Sequence, residues 1–312
     1  METNDDNTIK FHELTLADKA LVQSYTLGSM NRNCDMNFMN LFSWRFLYST
    51  EVGEWNGWLV FRFYADGHLA YLVPVGEGDW KGILEVMRQD SHSKGHPFLF
   101  MGVREHYLPA LEEAMPDYFN FTYARNYSDY VYEREKLATL SGKKLQSRRN
   151  FINRFIRLYP DHEYKPLTPE LIPLCKQLAD EWMLHKEAGE GIGSVAAEHR
   201  SIQNVFDHWE ELEAIGGTLF VGGKLVAFTF GGPINGDTFD VCVEKADTNY
   251  EGAFAMINRE FAAHIPTQYT YMNREEDMGD PGLRTAKMHY HPVCMINKYA
   301  VMAKRPFAEE QQ

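Results

Sequence analysis

Apolar residues along this chain recur at two spacings, close to every 3.6 positions and every second position, and the two alternate. In the first half, residues 17–28 and 36–49 read as helices. The second of these is rich in aromatics, with Phe38, Phe42, Trp44 and Phe46 as core candidates. WLVFRFY (58–64) and LAYLVPV (69–75) read as strands joined at Asp66-Gly67, a hairpin signal. A helix at 80–89, a short buried strand at 97–102 and a helix at 104–115 follow. The last carries Leu108, Leu111 and Met115 on one face. Two aromatic strands, 118–124 and 129–134, close this half.

Within LSGKKLQSRRNFINRFIRLYP (140–160), Leu145, Ile152, Phe155 and Tyr159 fall near one face of a basic amphipathic helix. The second half then repeats the order of elements. A short extended piece at 164–166 precedes a long helix over 169–185, a break at GEGIG (189–193) and a helix over 196–214. A three-strand meander follows, with Gly222-Gly223 and Asn235-Gly236 at its turns. A helix over 251–264, a strand at 267–273, a short helix over 281–290 and a last strand near 293–303 finish the pattern. This predicts two α/β domains with mixed sheets: residues 1–139, a basic connecting helix at 140–160, and 161–312.

Composition narrows the classes. A chain of 312 residues with 44% hydrophobic and 24% charged residues is globular, which excludes disorder and a coiled coil. No apolar run approaches the roughly 20 residues of a membrane helix, and METNDDNTIK is too polar and acidic for a signal peptide. Cys34, Cys175, Cys242 and Cys294 stand far apart, so neither a zinc motif nor a disulfide framework is expected, and a reduced cytoplasm is the simplest setting. Cys242 and Cys294 read as buried hydrophobes. The 31 basic against 44 acidic residues give a net charge of −13, which argues against indiscriminate polyanion binding. Charge distribution matters more than the sum. Lys136, Lys143, Lys144, Arg148, Arg149, Arg154 and Arg157 lie in one stretch without an acidic residue. That stretch is either a solvated connecting helix or an anion-binding surface; contact with a membrane surface is the weakest of the readings.

Two segments carry candidate chemistry. The first is NYEGAF (Asn249, Tyr250, Glu251, Gly252, Ala253, Phe254), a turn between a strand and a helix. A glycine at a helix N-terminus lets phosphate oxygens reach unpaired N–H groups, and the helix dipole favours the charge. The second is NREEDMGDPGLRTAKMHYHP (273–292). Asp280-Pro281 is a cap and first-turn pair, and Arg284 and Lys287 share a helix face. Glu275, Glu276 and Asp277 crowd three carboxylates, an arrangement that raises one pKa toward that of a general base. A solvated acidic loop paired with Arg274 and Arg284 is the plainer alternative. His289 and His291 could share a face, but no third ligand stands at a diagnostic spacing, so no metal is expected.

A meander, a glycine turn, a helix and a further strand resemble the cofactor core of GNAT acyltransferases, whose motif here is Q/R-x-x-G-x-G/A. Asn249, Gly252 and Phe254 occupy its positions, with only the glycine a strict match. SDYVYEREKLATLSGKKLQSRRNFINRF and REEDMGDPGLRTAKMHYHP resemble the bacterial family related to the C-terminal catalytic domain of phosphatidylglycerol lysyltransferase. The resemblance covers nearly the whole chain, although the integral-membrane half of the lysyltransferase is lacking. It implies two tandem GNAT-like domains of the Fem type and transfer of an aminoacyl group from aminoacyl-tRNA to a lipid headgroup or a cell-wall precursor.

On this reading the donor enters between the strands 238–244 and 267–273, where a backbone N–H on the strand of Val241 and Val243 polarises the donor carbonyl. Glu275 or Asp277 takes the proton from the attacking amine, and Tyr290 returns one to the leaving group. Asn273, Arg284, Lys287, Arg148 and Arg149 are the candidate substrate contacts. Acyl-coenzyme A leads as donor because the glycine turn needs only a pyrophosphate. Aminoacyl-tRNA is the second candidate, and a ligand-binding protein with the fold but no chemistry is the third. The acceptor is expected to be a small molecule.

Overall fold

A computed structural model describes residues 8–187 and 192–305. The sequence's acidic start and residues 189–191 of its GEGIG break lie outside the described residues. In chain order the first elements are β1 (His12–Glu13), α1 (Lys19–Thr26), α2 (Phe38–Tyr48), β2 (Glu51–Trp55), β3 (Trp58–Ala65), β4 (His68–Tyr71), β5 (Val75–Gly76), α3 (Trp80–Ser93), β6 (Leu99–Arg104), α4 (Leu108–Ala114) and β7 (Phe119–Tyr123). Then come β8 (Asp129–Glu133), α5 (Arg134–Thr139), α6 (Gln146–Leu158), β9 (Glu163–Pro166), α7 (Ile172–Glu187), α8 (Ile192–Asp207), β10 (Ile215–Val221), β11 (Lys224–Pro233), β12 (Thr238–Ala246), α9 (Ala253–His264), β13 (Tyr271–Asn273), α10 (Pro281–Met288), β14 (Cys294–Ile296) and β15 (Lys298–Ala303).

The fold class is the expected one, mixed α/β with two mixed sheets. The chain forms two compact units, each discontinuous in sequence. Among the described residues the first takes 8–28, Trp44–Ser128 and 296–305; the second takes Ser29–Ser43 and those between Asp129 and Met295. The hand-over therefore falls at 128/129, where the sequence reading places it near 140. The reason is strand pairing: β8 leaves the first sheet's strands and pairs antiparallel with β13, Tyr132 facing Met272. The last strand is also two strands, β14 in the second sheet and β15 in the first.

In the first unit the sheet order is β1-β2-β3-β4-β6-β15-β7, with β5 on β3. Its aromatic strands bury Trp58, Tyr71, Phe98, Phe100 and Phe119 with Val301 in one core. Arg62, buried among them, is held by Glu51 and Asp90.

The second unit's sheet runs β14-β8-β13-β12-β11-β10-β9. The meander β10-β11-β12 is antiparallel. After α9 the chain returns as β13, parallel to β12 over three residue pairs ending at Asp240 and Asn273. Beyond that pair β12 continues to Ala246 while β13 stops, so the two strands part. Phe230 faces Val243 and Gly231 faces Val241, which leaves Cys242 as an extra residue in β12, a β-bulge. A Cβ at Gly231 would sit 1.7 Å from the Asp240 carbonyl oxygen, so only glycine fits opposite the bulge. The core joins Leu145, Ile152 and Phe155 of the basic segment to Phe239, Val241, Ile257 and Phe261. This confirms the predicted apolar face of that segment.

Candidate active site

The point where β12 and β13 part is polar and buried. Asp240, the last residue of β12 paired with β13, has no exposed surface. Its Oδ2 accepts from Asn37 Nδ2 at 3.0 Å and from Asn40 Nδ2 at 3.1 Å. Asn40 Nδ2 also donates to Glu275 Oε1 at 2.7 Å, so one amide holds two carboxylates together. Asn37 Nδ2 donates to the Cys242 thiol at 3.3 Å. Burial, then the neighbouring Asp240 and Glu276 carboxylates, hold Glu275 well above the usual carboxylate range. Burial and Asp240 push the Cys242 thiol up as well. Cys242 is half-buried and polar in contact, where the sequence reads as a core hydrophobe; Cys294 is exposed.

Beside this lies a second set of contacts. Asp129 Oδ2 accepts from the Cys34 N–H at 2.9 Å and from Asn273 Nδ2 at 2.8 Å. The Cys34 thiol reaches Asp129 and Glu276, each at 3.4 Å. Asn273 Oδ1 in turn accepts from the Glu275 N–H at 2.7 Å, which helps hold Glu275 at a positive φ of 55°. The carboxylate and thiol atoms of Asp240, Cys242 and Glu275 lie within 4.8 Å of one another, as do those of Cys34, Asp35 and Glu276. His289 and His291 are exposed and take no part.

Glu275 and Glu276 are close enough to interact, but Asp277 is drawn off to other partners. Asp277 is fully buried and accepts from the Arg284 Nε and Nη2, both at 2.9 Å, and from the Tyr130 hydroxyl at 2.6 Å. Arg284, the expected anion clamp, thus meets Asp277, the expected base. Lys287 is buried, its ammonium on the carbonyls of Arg274 (2.6 Å) and Glu276, where it braces the loop. The cap is as expected: Asp280 Oδ1 accepts from the Leu283 N–H at 2.7 Å.

Further out along the parted strands, Arg274 Nη2 meets Glu244 Oε1 at 3.0 Å, with 12% and 13% of the two side chains exposed. Glu244 Oε2 accepts from Asn258 Nδ2 of α9 at 3.2 Å. An ion pair therefore bridges the opening between β12 and the end of β13. Tyr290 is buried, edge-on to Tyr132, and its hydroxyl is pushed up by burial.

The glycine turn differs from an open phosphate cradle. Gly252 has φ 91° and caps α9. A Cβ there would stand 3.3 Å from the Phe155 Cβ of α6. Asn249 turns its amide onto Asp247 at 2.8 Å, Glu251 pairs with Arg154 at 2.9 Å, and Tyr250 packs on Tyr159. Val241 and Val243 are buried, and Phe254 is exposed. Arg149 donates to the carbonyls of Leu140 and Gly142, whereas Arg148 turns toward Phe151 and Tyr290.

Sequence reasoning missed Asn37, Asn40, Asp129, Asp240 and Glu244. Asn37 caps the aromatic helix α2 and Asn40 lies in its first turn, and Asp240 interrupts the apolar strand FDVCV. An acid inside a central strand is the one signal that pointed here.

Comparison with known proteins gives a consistent family. The profile described as "Phosphatidylglycerol lysyltransferase, C-terminal" matches residues 28–302. A crystal structure of a conserved protein of unknown function from Bacteroides thetaiotaomicron is 47% identical, covering 95% of this chain and 100% of that one with a TM-score of 0.92. The structure of L-PGS from Bacillus licheniformis shares the fold at 16% identity, covering 87% of this chain and 93% of that one with a TM-score of 0.58. An uncharacterised protein from Mycoplasmoides gallisepticum is 25% identical over 177 residues, 56% of each chain, so this chain spans about half the length of that curated relative. Among the described residues no helix is long and apolar enough to cross a membrane.

Proposed function

Because the chain belongs to the phosphatidylglycerol lysyltransferase C-terminal family, a family of acyltransferases, we propose that its second unit transfers an aminoacyl group from aminoacyl-tRNA to a hydroxyl or amine acceptor. One observation carries this reading: the parting of β12 and β13, where the acyl group of a GNAT-type donor would lie, is lined by Asp240, Glu275, Asn37, Asn40 and Cys242. An acetyl or fatty acyl group gains nothing from buried carboxylates. The ammonium of an aminoacyl group supplies the charge that such carboxylates need as a partner.

Glu275, with its raised pKa, suits the general base that takes the acceptor's proton as the acceptor oxygen or nitrogen bonds to the ester carbonyl carbon. The bulge at Cys242 takes one residue of β12 out of the ladder, and a backbone N–H there would serve the developing oxyanion. As the bond to the ribose oxygen breaks, the proton passes to that oxygen. The coenzyme A reading has less support, since Phe155 covers Gly252 and Asp247 and Glu251 place carboxylates at the turn.

The test is a transfer assay with radiolabelled aminoacyl-tRNA and phosphatidylglycerol vesicles, run beside acyl-coenzyme A. Transfer from a cationic aminoacyl-tRNA, reduced about a hundredfold by Glu275→Gln, is the expected result. Turnover of acyl-coenzyme A alone would overturn the reading.

A further inference from the structure

Two guanidinium groups near the N-terminal half of α9 hold N–H groups that nothing described satisfies. Arg148 of α6 lies 4.9 Å from the ring centre of Phe151 and 5.7 Å from that of Tyr290. Arg274 lies 5.2 Å from the Tyr290 ring centre and 5.8 Å from that of Tyr132. Arg148 Nε and Arg274 Nη1 are both shut off from solvent and, among the described residues, neither has a hydrogen-bond partner. Glu244 meets Arg274 at Nη2 and also accepts from Asn258. Buried donors and charges of this kind are normally paired, so the arrangement suits a missing anion. Asn258 Oδ1, also sequestered and unpartnered, offers an acceptor to a hydroxyl beside that anion.

We infer that Arg148, Arg274 and Tyr290 form a receptor for one phosphate anion of the acyl donor. This deepens the aminoacyl-transfer reading and rests on it for the identity of the donor. Arg148 also hydrogen-bonds the Tyr290 hydroxyl and Arg274 Nη2 is on Glu244, so Arg148 Nε and Arg274 Nη1 are the N–H groups left for phosphate oxygens. The shared chemistry is a ribose-linked phosphate, and it has two sources: the single-stranded 3′ end of a tRNA or coenzyme A. Arg149, one position on, contributes nothing to this receptor, because its guanidinium is taken up by the carbonyls of Leu140 and Gly142.

The experiment uses the full chain and two probes, the trinucleotide CpCpA and coenzyme A, titrated calorimetrically between about 50 and 200 mM salt. In the wild type one of the probes binds. Arg148→Gln lowers its affinity tenfold or more and reduces the slope of log affinity against log salt by about 0.7, the share of one phosphate on a single strand. Arg149→Gln leaves that slope unchanged. If Arg148→Gln is poorly folded by thermal melting, Arg148→Lys replaces it; that variant keeps the charge and the slope while losing the planar fork's affinity. Arg148-dependent binding of CpCpA supports both the receptor and the tRNA donor. The same dependence for coenzyme A alone upholds the receptor and overturns the tRNA donor. CpCpA binding that ignores Arg148 upholds the donor and overturns the receptor, and binding of neither probe overturns the receptor.

Discussion

The ion pair across the parted strands makes a sharp prediction about Arg274→Met. Arg274 and Glu244 are close to nine-tenths buried and meet at 3.0 Å. Truncating the arginine leaves the Glu244 carboxylate buried with one neutral donor, Asn258 Nδ2 at 3.2 Å. Removing one partner of a buried pair costs about 3–5 kcal/mol. The remaining amide and the option of protonation put this case near the lower end, about 3 kcal/mol. Replacing both residues, Arg274→Met with Glu244→Leu, leaves no orphaned charge and should return stability to within about 1 kcal/mol of wild type. The chain has two units, so a global melt can blend two transitions; the readout is hydrogen exchange at the amides of β12 and β13. A loss of 3 kcal/mol lowers their protection by about 150-fold if exchange follows opening of this unit. The double variant should restore it. Costs that simply add, with a coupling below about 0.5 kcal/mol, would refute the argument that this pair closes the gap.

Other outcomes follow from single positions. Gly252→Ala should lower stability by about 1–2 kcal/mol in denaturant titration, because φ is 91° and the new Cβ meets Phe155 at 3.3 Å; an unchanged midpoint would mean the turn relaxes freely. Gly231→Ala should sharply reduce folded yield, since its Cβ would collide with the Asp240 carbonyl; normal yield would show that the bulge can shift. For Glu275, the folded pKa is raised, so the favourable term is fully present below the unfolded pKa and is lost as pH rises through the folded one. Melting temperatures of Glu275→Gln should therefore gain on wild type as pH increases, and a constant difference would contradict the burial argument. Asp280→Ala removes the bond to the Leu283 N–H and should cost about 1 kcal/mol, read as faster exchange in α10 alone.

How far the sequence reached depends on the distance over which each feature is encoded. The meander and its Gly222-Gly223 turn were legible because both glycines take positive φ, 57° and 79°, a local requirement. The Asp280 cap was legible for the same reason. The apolar face of α6 follows from spacing within one helix. Asp240 and Asn40 are 200 residues apart, and no local pattern announces their contact. Cys242 read as core because strict alternation cannot see a bulge. Arg284 and Asp277 were both singled out, yet their mutual pairing depends on how a seven-residue loop folds back. Helix 251–264 was nearly right in extent, whereas 129–133 could not be allotted to a sheet, since its partner lies at 271–273.

The placement of β15 has a consequence for synthesis. This strand, residues 298–303, lies between β6 and β7 and pairs with both. The first sheet therefore has an interior slot that stays empty while the ribosome makes everything from Tyr123 to Ala303. At about 5–20 residues per second those 180 residues take about 9–36 s. Throughout that time the facing edges of β6 and β7 are unpaired, and Phe100 and Phe119 await Val301 as a core neighbour. Chaperone capture of the nascent chain should be concentrated on these two strands, and truncation before residue 298 should release a first unit that aggregates.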